Sequence, residues 1–484
     1  MKSKMIHTIL PSLIASSIAL PFLANAETAT SQQQPIITIY QGNIALVQEA
    51  RPLELNQENS ELFLSGISPS ANTSSLMLNF TAKEAGEKVP AIVAKKLDRN
   101  ILSPHTLLDD FVGKQVKILT THEGQEKAET ATILSNNGGI IIQYQDRIEL
   151  NLPENARIAF DTLPEGLSNT PVLSVILKNL PEKKSPYQAN LAYLTGGLNW
   201  STDYIAQLDD SQKILKLEGW ATINNSSGLD YQNAKIRLIA GEPNIIRNSI
   251  EPRYNMALMA SAKMEMMDDS ISIPSQSIGD FYLYDIPTIS TLKNNEETQL
   301  MLFTSEAIPY QKNYHFTNYA SYQRESDKMD LTNAEIRISF QNNDTSHLGF
   351  PLPSGVIRLY EDSSATTFLG EDLLPTTPNQ QTVVLNSGKA FDVTQKRQST
   401  DFKVINEDEV EMSYQLTLSN AKSEAVEVTV QEMIPDRDDL NWEVIDTNNK
   451  VTSSNSEGVT WKVTIPANSE KVLTYTIRYT HFKN

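Results

Sequence analysis

The sequence predicts a mainly β, multi-domain protein with a small SH3/Sm-like barrel insert and a C-terminal immunoglobulin-like β-sandwich. Three observations predict it. Apolar side chains recur at every second position in many short runs, the period that turns alternate residues of a strand to one face. Gly, Asn, Ser and Pro punctuate those runs, as turns require. Helical spacing is confined to one short stretch near Leu107.

Lys2 and Lys4, the apolar run from Ile9 to Leu23 and the small residues Ala24-Asn25-Ala26 form the three parts of a secretory signal. Residues 1–26 are therefore expected to be a signal peptide cleaved after Ala26, and the protein to be exported to the periplasm or cell surface. Pro11 and Pro21 interrupt the apolar run, which is shorter than the ~20 residues of a spanning helix. The chain has no cysteine, which excludes disulfides, thiolate metal sites and a lipid-anchored cysteine. No later segment is apolar enough to span a bilayer as a helix, and 7% aromatic residues argue against the girdles of an outer-membrane barrel. The 484 residues carry 40 basic and 59 acidic side chains, a net charge of −19; without Lys2 and Lys4 the balance is 38 against 59, or −21. Such a charge repels nucleic acid and anionic lipid.

Residues 27–100 read as an N-terminal β region, with I-I-T-I-Y from Ile36 and S-L-M-L-N-F before Thr81. Residues 101–162 read as the small barrel. Ser103-Pro104 caps a short helix with Leu107, Leu108 and Phe111 on one face, and strands are expected near Val116–Ile118, Ala131–Ile133, Ile140–Ile142, Ile148–Leu150 and Ile158–Phe160. Residues 163–330 form a central β domain, interrupted by a Met-rich loop at 251–272. Residues 331–484 form the C-terminal sandwich. A unit of strand, Asn-rich turn and strand recurs at Leu215–Leu238, Ile336–Tyr360 and Met412–Val430, and each reads as a hairpin. A terminal hairpin is expected from Val459, Trp461, Val463 and Ile465 on one arm and Leu473, Tyr475, Ile477 and Tyr479 on the other. Consecutive β domains readily share strands across such boundaries.

The runs L-T-G-G-L-N-W-S-T-D-Y (Leu194–Tyr204), N-N-S-S-G-L-D-Y-Q-N-A-K-I-R-L-I-A-G-E-P (ending at Pro243), F-L-G-E-D-L-L-P (from Phe368) and G-K-A-F-D-V (from Gly388) resemble, in order and spacing, the exported bacterial family containing domain of unknown function 4139. The resemblance runs in pieces from Ile39 to Tyr479. It implies a β-rich envelope protein and carries over no catalytic residue.

Chemistry-bearing motifs are sparse. His105, His122, His315, His347 and His481 are scattered without the spacing of metal ligands. G-x-S-x-G, the phosphate-binding loop and the dinucleotide fingerprint are absent, and Ser290-Thr291-Leu292-Lys293 matches S-x-x-K without its companion motifs. Asp436, Asp438 and Asp439 in P-D-R-D-D could ligate Ca²⁺ from a loop, although three carboxylates fall short of its six to eight oxygens and a solvated turn is the alternative. Met256, Met259, Met264, Met266 and Met267 offer thioethers to Cu(I), or else adaptable apolar packing. Tyr310, Tyr314, Tyr319 and Tyr322 are the densest aromatic cluster and a candidate binding face, against the alternative of ordinary strand packing.

These observations predict a non-catalytic envelope scaffold or binding protein, without cofactor, that engages an envelope protein or a glycan and not nucleic acid. The alternative class is a hydrolase of envelope polymers that uses a carboxylate pair brought together by the fold.

Overall fold

A computed structural model describes residues 33–481 apart from 59, 85, 100, 123–124, 163, 165–167, 242, 245–274, 324–329, 362–366, 435–436 and 438–439. The protein is mainly β, with several sheets, and α1 is its one α-helix among the described residues. In chain order the first elements are β1 (Gln33–Tyr40), β2 (Ile44–Leu55), β3 (Glu61–Leu64), β4 (Met77–Ala82), β5 (Ala91–Asp98), α1 (Pro104–Asp110), β6 (Gln115–His122), β7 (Gln125–Ser135), β8 (Ile141–Gln143), β9 (Ile148–Leu150), β10 (Ala156–Ala159), β11 (Val172–Lys178) and β12 (Ser185–Gly196). There follow β13 (Leu198–Asp209), β14 (Ile214–Asn225), β15 (Tyr231–Ala240), β16 (Ser275–Ile278), β17 (Phe281–Asp285), β18 (Ser290–Leu292), β19 (Glu296–Tyr319), β20 (Asp330–Asn342), β21 (Gly355–Glu361) and β22 (Thr367–Leu374). The last are β23 (Gln381–Asn406), β24 (Glu409–Asn420), β25 (Val426–Met433), β26 (Leu440–Thr447), β27 (Val451–Asn455), β28 (Gly458–Ile465) and β29 (Ser469–His481). They gather into two compact units, one of residues 48–193 and one of residues 34–47 with 194–484.

In the first unit, the five-stranded antiparallel sheet β10-β6-β7-β8-β9 lies where the alternating pattern places its strands. Ser103 accepts from the Thr106 N–H at 3.1 Å and Pro104 opens the helix, so α1 starts where its cap dictates. Leu107, Leu108 and Phe111 then pack on Val116, Ile118, Ile133 and Ile142, with the Phe111 and Phe160 rings 4.7 Å apart. A separate sheet, β3-β11-β5, carries the antiparallel pairs Leu173↔Leu64 and Leu173↔Leu97.

In the second unit, β13 and β14 pair antiparallel along their full length, β14 pairs β19, and β13 pairs β21 in parallel. β22 follows β21, and the Asn386 N–H donates to Asp372 Oδ2 at 2.7 Å, bringing β23 back beside β22. A Cβ at Gly370 would lie 2.6 Å from the Ser387 carbonyl, which accounts for the glycine in F-L-G-E-D. Inside this row Tyr204 and Phe303 pack 6.2 Å apart, and Phe303 meets Phe350 at 4.8 Å. β19 and β23, with 24 and 26 residues, then run on into a second core.

That core lies between two layers. One layer is β20-β23-β24-β29-β26 and the other is β19-β25-β28-β27. Met412, Tyr414, Leu416, Leu418, Leu473, Tyr475, Ile477 and Tyr479 face inward from the first, and Val428, Val430, Val459, Trp461, Val463 and Ile465 from the second. The alternating pattern identified these faces correctly.

It misidentified their partners. β28 and β29 do not form a hairpin: β28 pairs β25 and β27, whereas β29 pairs β24 and β26. The two strands face each other across the core, with Trp461 stacked on Tyr475 at 4.5 Å. The three recurring units are also arches, not hairpins. β14 and β15, β20 and β21, and β24 and β25 each pair with other strands and not with each other. Period 2 specifies which face is buried, not which strand lies alongside.

Each arch turns on one buried asparagine at the end of its first strand. Asn225 Nδ2 donates to the Leu229 and Leu292 carbonyls at 2.9 and 3.1 Å, and its Oδ1 accepts from the Ser227 N–H at 3.1 Å. Asn342 Nδ2 donates to Phe350, Thr377 and Pro378 carbonyls, and its Oδ1 accepts from the Gly349 N–H. Asn420 Nδ2 donates to Glu424, Ile465 and Pro466 carbonyls, and its Oδ1 accepts from the Lys422 N–H. In every case the amide ties its own loop to a second loop, and the second loop passes through a left-handed residue: Asn295, Gln380 or Asn468. A chain that does not turn back onto its preceding strand loses its ladder partners at the corner, and the carboxamide satisfies those backbone groups.

Candidate functional site

Charged and polar side chains enter the C-terminal core at one end. Asn318 and Gln395, both buried, hydrogen-bond through their amides, Gln395 Nε2 donating to Asn318 Oδ1 at 2.5 Å. Arg397 Nη2 donates to Oε1 of the fully buried Glu432 at 2.7 Å, and the Tyr475 hydroxyl donates to the other carboxylate oxygen. The Arg397 guanidinium also lies over the Tyr414 ring, 4.1 Å from its centroid. Burial, followed by the Glu432 charge, pushes the Tyr475 hydroxyl well above its ordinary value and keeps it a donor. The Tyr414 hydroxyl accepts from the Ser321 N–H at 3.1 Å, anchoring the chain that leads to Tyr322. The Glu432 carboxylate is engaged on both oxygens, and the chemistry of the network is that of a strut.

Just outside it, the sandwich has an open edge. Among the described residues β26 forms a ladder with β29 alone and β27 with β28 alone, so the two layers each end in a bare strand edge here. β26 and β27 are joined through residues 448–450 at one end. At the other end, Arg437, Leu440, Asn441, Trp442, Ser454, Asn455 and Ser456 line a half-open, mostly polar pocket of about 410 Å³. Trp442 pairs directly with Tyr479 across the ladder and is half-buried. Tyr322 meets Tyr479 edge-on at 6.4 Å, and its hydroxyl accepts from Arg437 Nη1 at 2.6 Å. Asn441, Ser454, Asn455 and Ser456 are exposed. The lining offers amide and hydroxyl groups and one guanidinium, while Trp442 packs against the core.

The four candidate tyrosines do not share a face. Tyr310 is buried and donates to Asp210 at 2.6 Å, beside Lys312, whose ammonium lies 2.6 Å from the same carboxyl. Burial pushes the Asp210 pKa up, but the Lys312, Tyr310 and Lys213 donors outweigh it and hold the carboxyl below its usual range. Tyr314 belongs to the core, and burial raises its hydroxyl to about 12. Tyr319 is 73% exposed, and Tyr322 alone borders the pocket through Arg437. The methionines 256, 259, 264, 266 and 267 and the aspartates 436, 438 and 439 lie outside the described residues. Among those described, no three His, Asp or Glu gather closely enough to hold a metal ion, and no helix is long and apolar enough to cross a membrane. Ser290 lies in β18, paired with β15. Of the pocket residues only Arg437 falls within a motif, the P-D-R-D-D run; Trp442 is hidden in an ordinary strand run, N-W-E-V-I.

His315 is buried on the opposite face of β19, with Nε2 3.2 Å from Gln431 Oε1. Desolvation, then the Arg337 charge, pushes its pKa below the ordinary value despite Glu335 and the Gln431 hydrogen bond. The folded state therefore resists a proton that the unfolded state accepts near pH 6.5. The contribution is intact above about 6.5 and is lost as pH falls toward the lowered folded-state value. His315→Gln is expected to flatten the slope of urea midpoint against pH below about 6.5; an unchanged slope would assign the acid sensitivity to other groups.

The model of the family described as Domain of unknown function (DUF4139) matches residues 189–483, a span that includes all three buried asparagines, the polar strut and the pocket. Comparison with curated proteins finds no match. The motifs that suggested this family are structural corners: in L-T-G-G-L-N-W, a Cβ at Gly197 would lie 2.5 Å from Ser227 Cα, and Trp200 Nε1 donates to the Ile239 carbonyl at 3.1 Å. With more than half of its length matched, through the whole two-core region, the chain belongs to the DUF4139 family.

Proposed function

We propose that this chain is a non-catalytic binding protein of the bacterial cell envelope, exported through residues 1–26, that holds its ligand at the open edge of its C-terminal sandwich. The observation that carries this reading is the pocket between the ends of β26 and β27. A sheet edge that presents several exposed amide and hydroxyl groups and one guanidinium suits recognition. The Arg397–Glu432–Tyr475 network supports holding over turnover, because both oxygens of the Glu432 carboxylate are already engaged by Arg397 and Tyr475. The acidic balance of the chain fits an aqueous envelope compartment and disfavours polyanionic partners.

The test is co-sedimentation of the chain from residue 27 onward with isolated envelope fragments. Wild type is expected to sediment with them, and Ser454→Trp, which fills the pocket from an exposed position, is expected to weaken capture about tenfold or more. Equal sedimentation of the two proteins would overturn the assignment of this edge.

A further inference from the structure

We infer that Asn137 is a self-modification site, at which the chain converts its own asparagine through a cyclic imide to aspartate and isoaspartate. The reaction needs a carboxamide that no neighbour holds, a following backbone nitrogen whose hydrogen is unspent, and a following residue small enough to let the two meet. Asn137-Gly138 is the one Asn-Gly pair among the 484 residues. It lies in the short connection from β7 to β8, where both residues are exposed. Asn137 spends its own N–H on Ser135 Oγ at 3.2 Å, whereas its carboxamide and the Gly138 N–H have no hydrogen-bond partner among the described residues. Gly138 has a φ of 74° and open space where a Cβ would stand, so nothing crowds the approach of its nitrogen to Asn137 Cγ.

The corner asparagines are held away from this chemistry. At Asn225 the nitrogen that would attack, that of Ser226, donates to the Gly197 carbonyl at 2.6 Å, and both ends of the carboxamide are engaged. At Asn420 the Ala421 N–H donates to the Asp392 carbonyl at 2.8 Å. Asn342 is fully buried, with its amide on three carbonyls and its Oδ1 on the Gly349 N–H. At Asn137 the Gly138 nitrogen gives its proton to water and attacks Cγ. A C–N bond forms, the Cγ–Nδ2 bond breaks, and Nδ2 takes up a proton and leaves as ammonia. Water then opens the imide at Cγ, giving aspartate, or at the backbone carbonyl, giving isoaspartate; the balance is one water in and one ammonia out. Either product places a carboxylate next to Asn136, whose Nδ2 donates to Asp109 Oδ1 and the His105 carbonyl of α1. Isoaspartate also lengthens the connection between β7 and β8 by a methylene.

The experiment is peptide mapping by mass spectrometry of the full-length protein, held folded at neutral pH and body temperature for several weeks, beside the same protein in urea. The peptide carrying residue 137 is expected to gain about 1 Da and to resolve into aspartate and isoaspartate forms. It should do so at least tenfold faster than the peptides carrying Asn225, Asn342 and Asn420. Urea frees the Ser226 nitrogen, so conversion at Asn225 should rise at least tenfold there, while that at Asn137 changes by less than about threefold. In Asn137→Gln the acidic species that accumulates on isoelectric focusing of the folded wild type should be missing. No conversion at residue 137 in the folded protein, or equal conversion at any of the three corner asparagines, overturns the inference. A rise at Asn137 in urea as large as that at Asn225 also overturns it, because the native loop would then be holding the carboxamide apart from the Gly138 nitrogen.

Discussion

Asn420→Asp is expected to destabilise the protein by about 4 kcal/mol at neutral pH, as read from urea unfolding followed by tryptophan fluorescence. The substitution preserves shape and exchanges one group. In the native protein Nδ2 donates to the Glu424, Ile465 and Pro466 carbonyls in a site only 2% exposed. A carboxylate there would face three carbonyl oxygens with no hydrogen to share, and each unsatisfied buried acceptor costs about 1–3 kcal/mol. Crowded by oxygens, the new carboxyl would have a folded pKa raised above the ordinary ~3.9, so its neutral form would be favoured on folding. Stability should thus be highest below about pH 4 and fall as pH rises through the raised value. Asn379→Asp, at an exposed position beside one of the second loops, is the control and should change stability by less than about 0.5 kcal/mol. Similar losses for the two variants would mean that the arch corner is not held by its amide.

The second large effect concerns the polar strut. Arg397→Met is expected to cost about 3–5 kcal/mol, because it leaves the Glu432 carboxylate buried without its cation. The decisive comparison is the double variant Arg397→Met with Glu432→Leu. Removing both charges abolishes the unpaired ion, so the double variant should regain much of the loss, even though the Tyr475 hydroxyl forfeits its acceptor. If the double variant is as unstable as the sum of two severe single losses, packing of Arg397 on Tyr414 outweighs its charge pairing.

Both predictions concern groups whose importance is invisible along the chain. Asn225, Asn342 and Asn420 are residues that turns commonly use, and the recurrence of strand, Asn-rich turn and strand was readable in their neighbourhoods. The role of each amide was not, because its partners come from a loop 35 to 67 residues away. Likewise Arg397, Glu432 and Tyr475 lie on three different strands, and nothing in the local text of any one of them announces the others. The pocket was missed for the same reason: its two walls belong to edge strands of different layers, and edge status is a property of the assembled sheet. Of the aromatic cluster at 310–322, composition alone could not separate Tyr314, which fills the core, from Tyr319, which meets solvent.

What the sequence by itself determined is the state and facing of each strand. Alternation placed Val459, Trp461, Val463 and Ile465 on a buried face, and Ser103-Pro104 started α1, because both signals act within a few residues. Only the tertiary structure decided which strands lie side by side, that apparent hairpins are arches crossing between layers, and where an edge stays open. A buried face is a local requirement that any apolar partner satisfies, whereas ladder pairing is a competition among many strands with similar faces. That competition is settled by long-range contacts such as the asparagine corners, which join loops far apart in the chain.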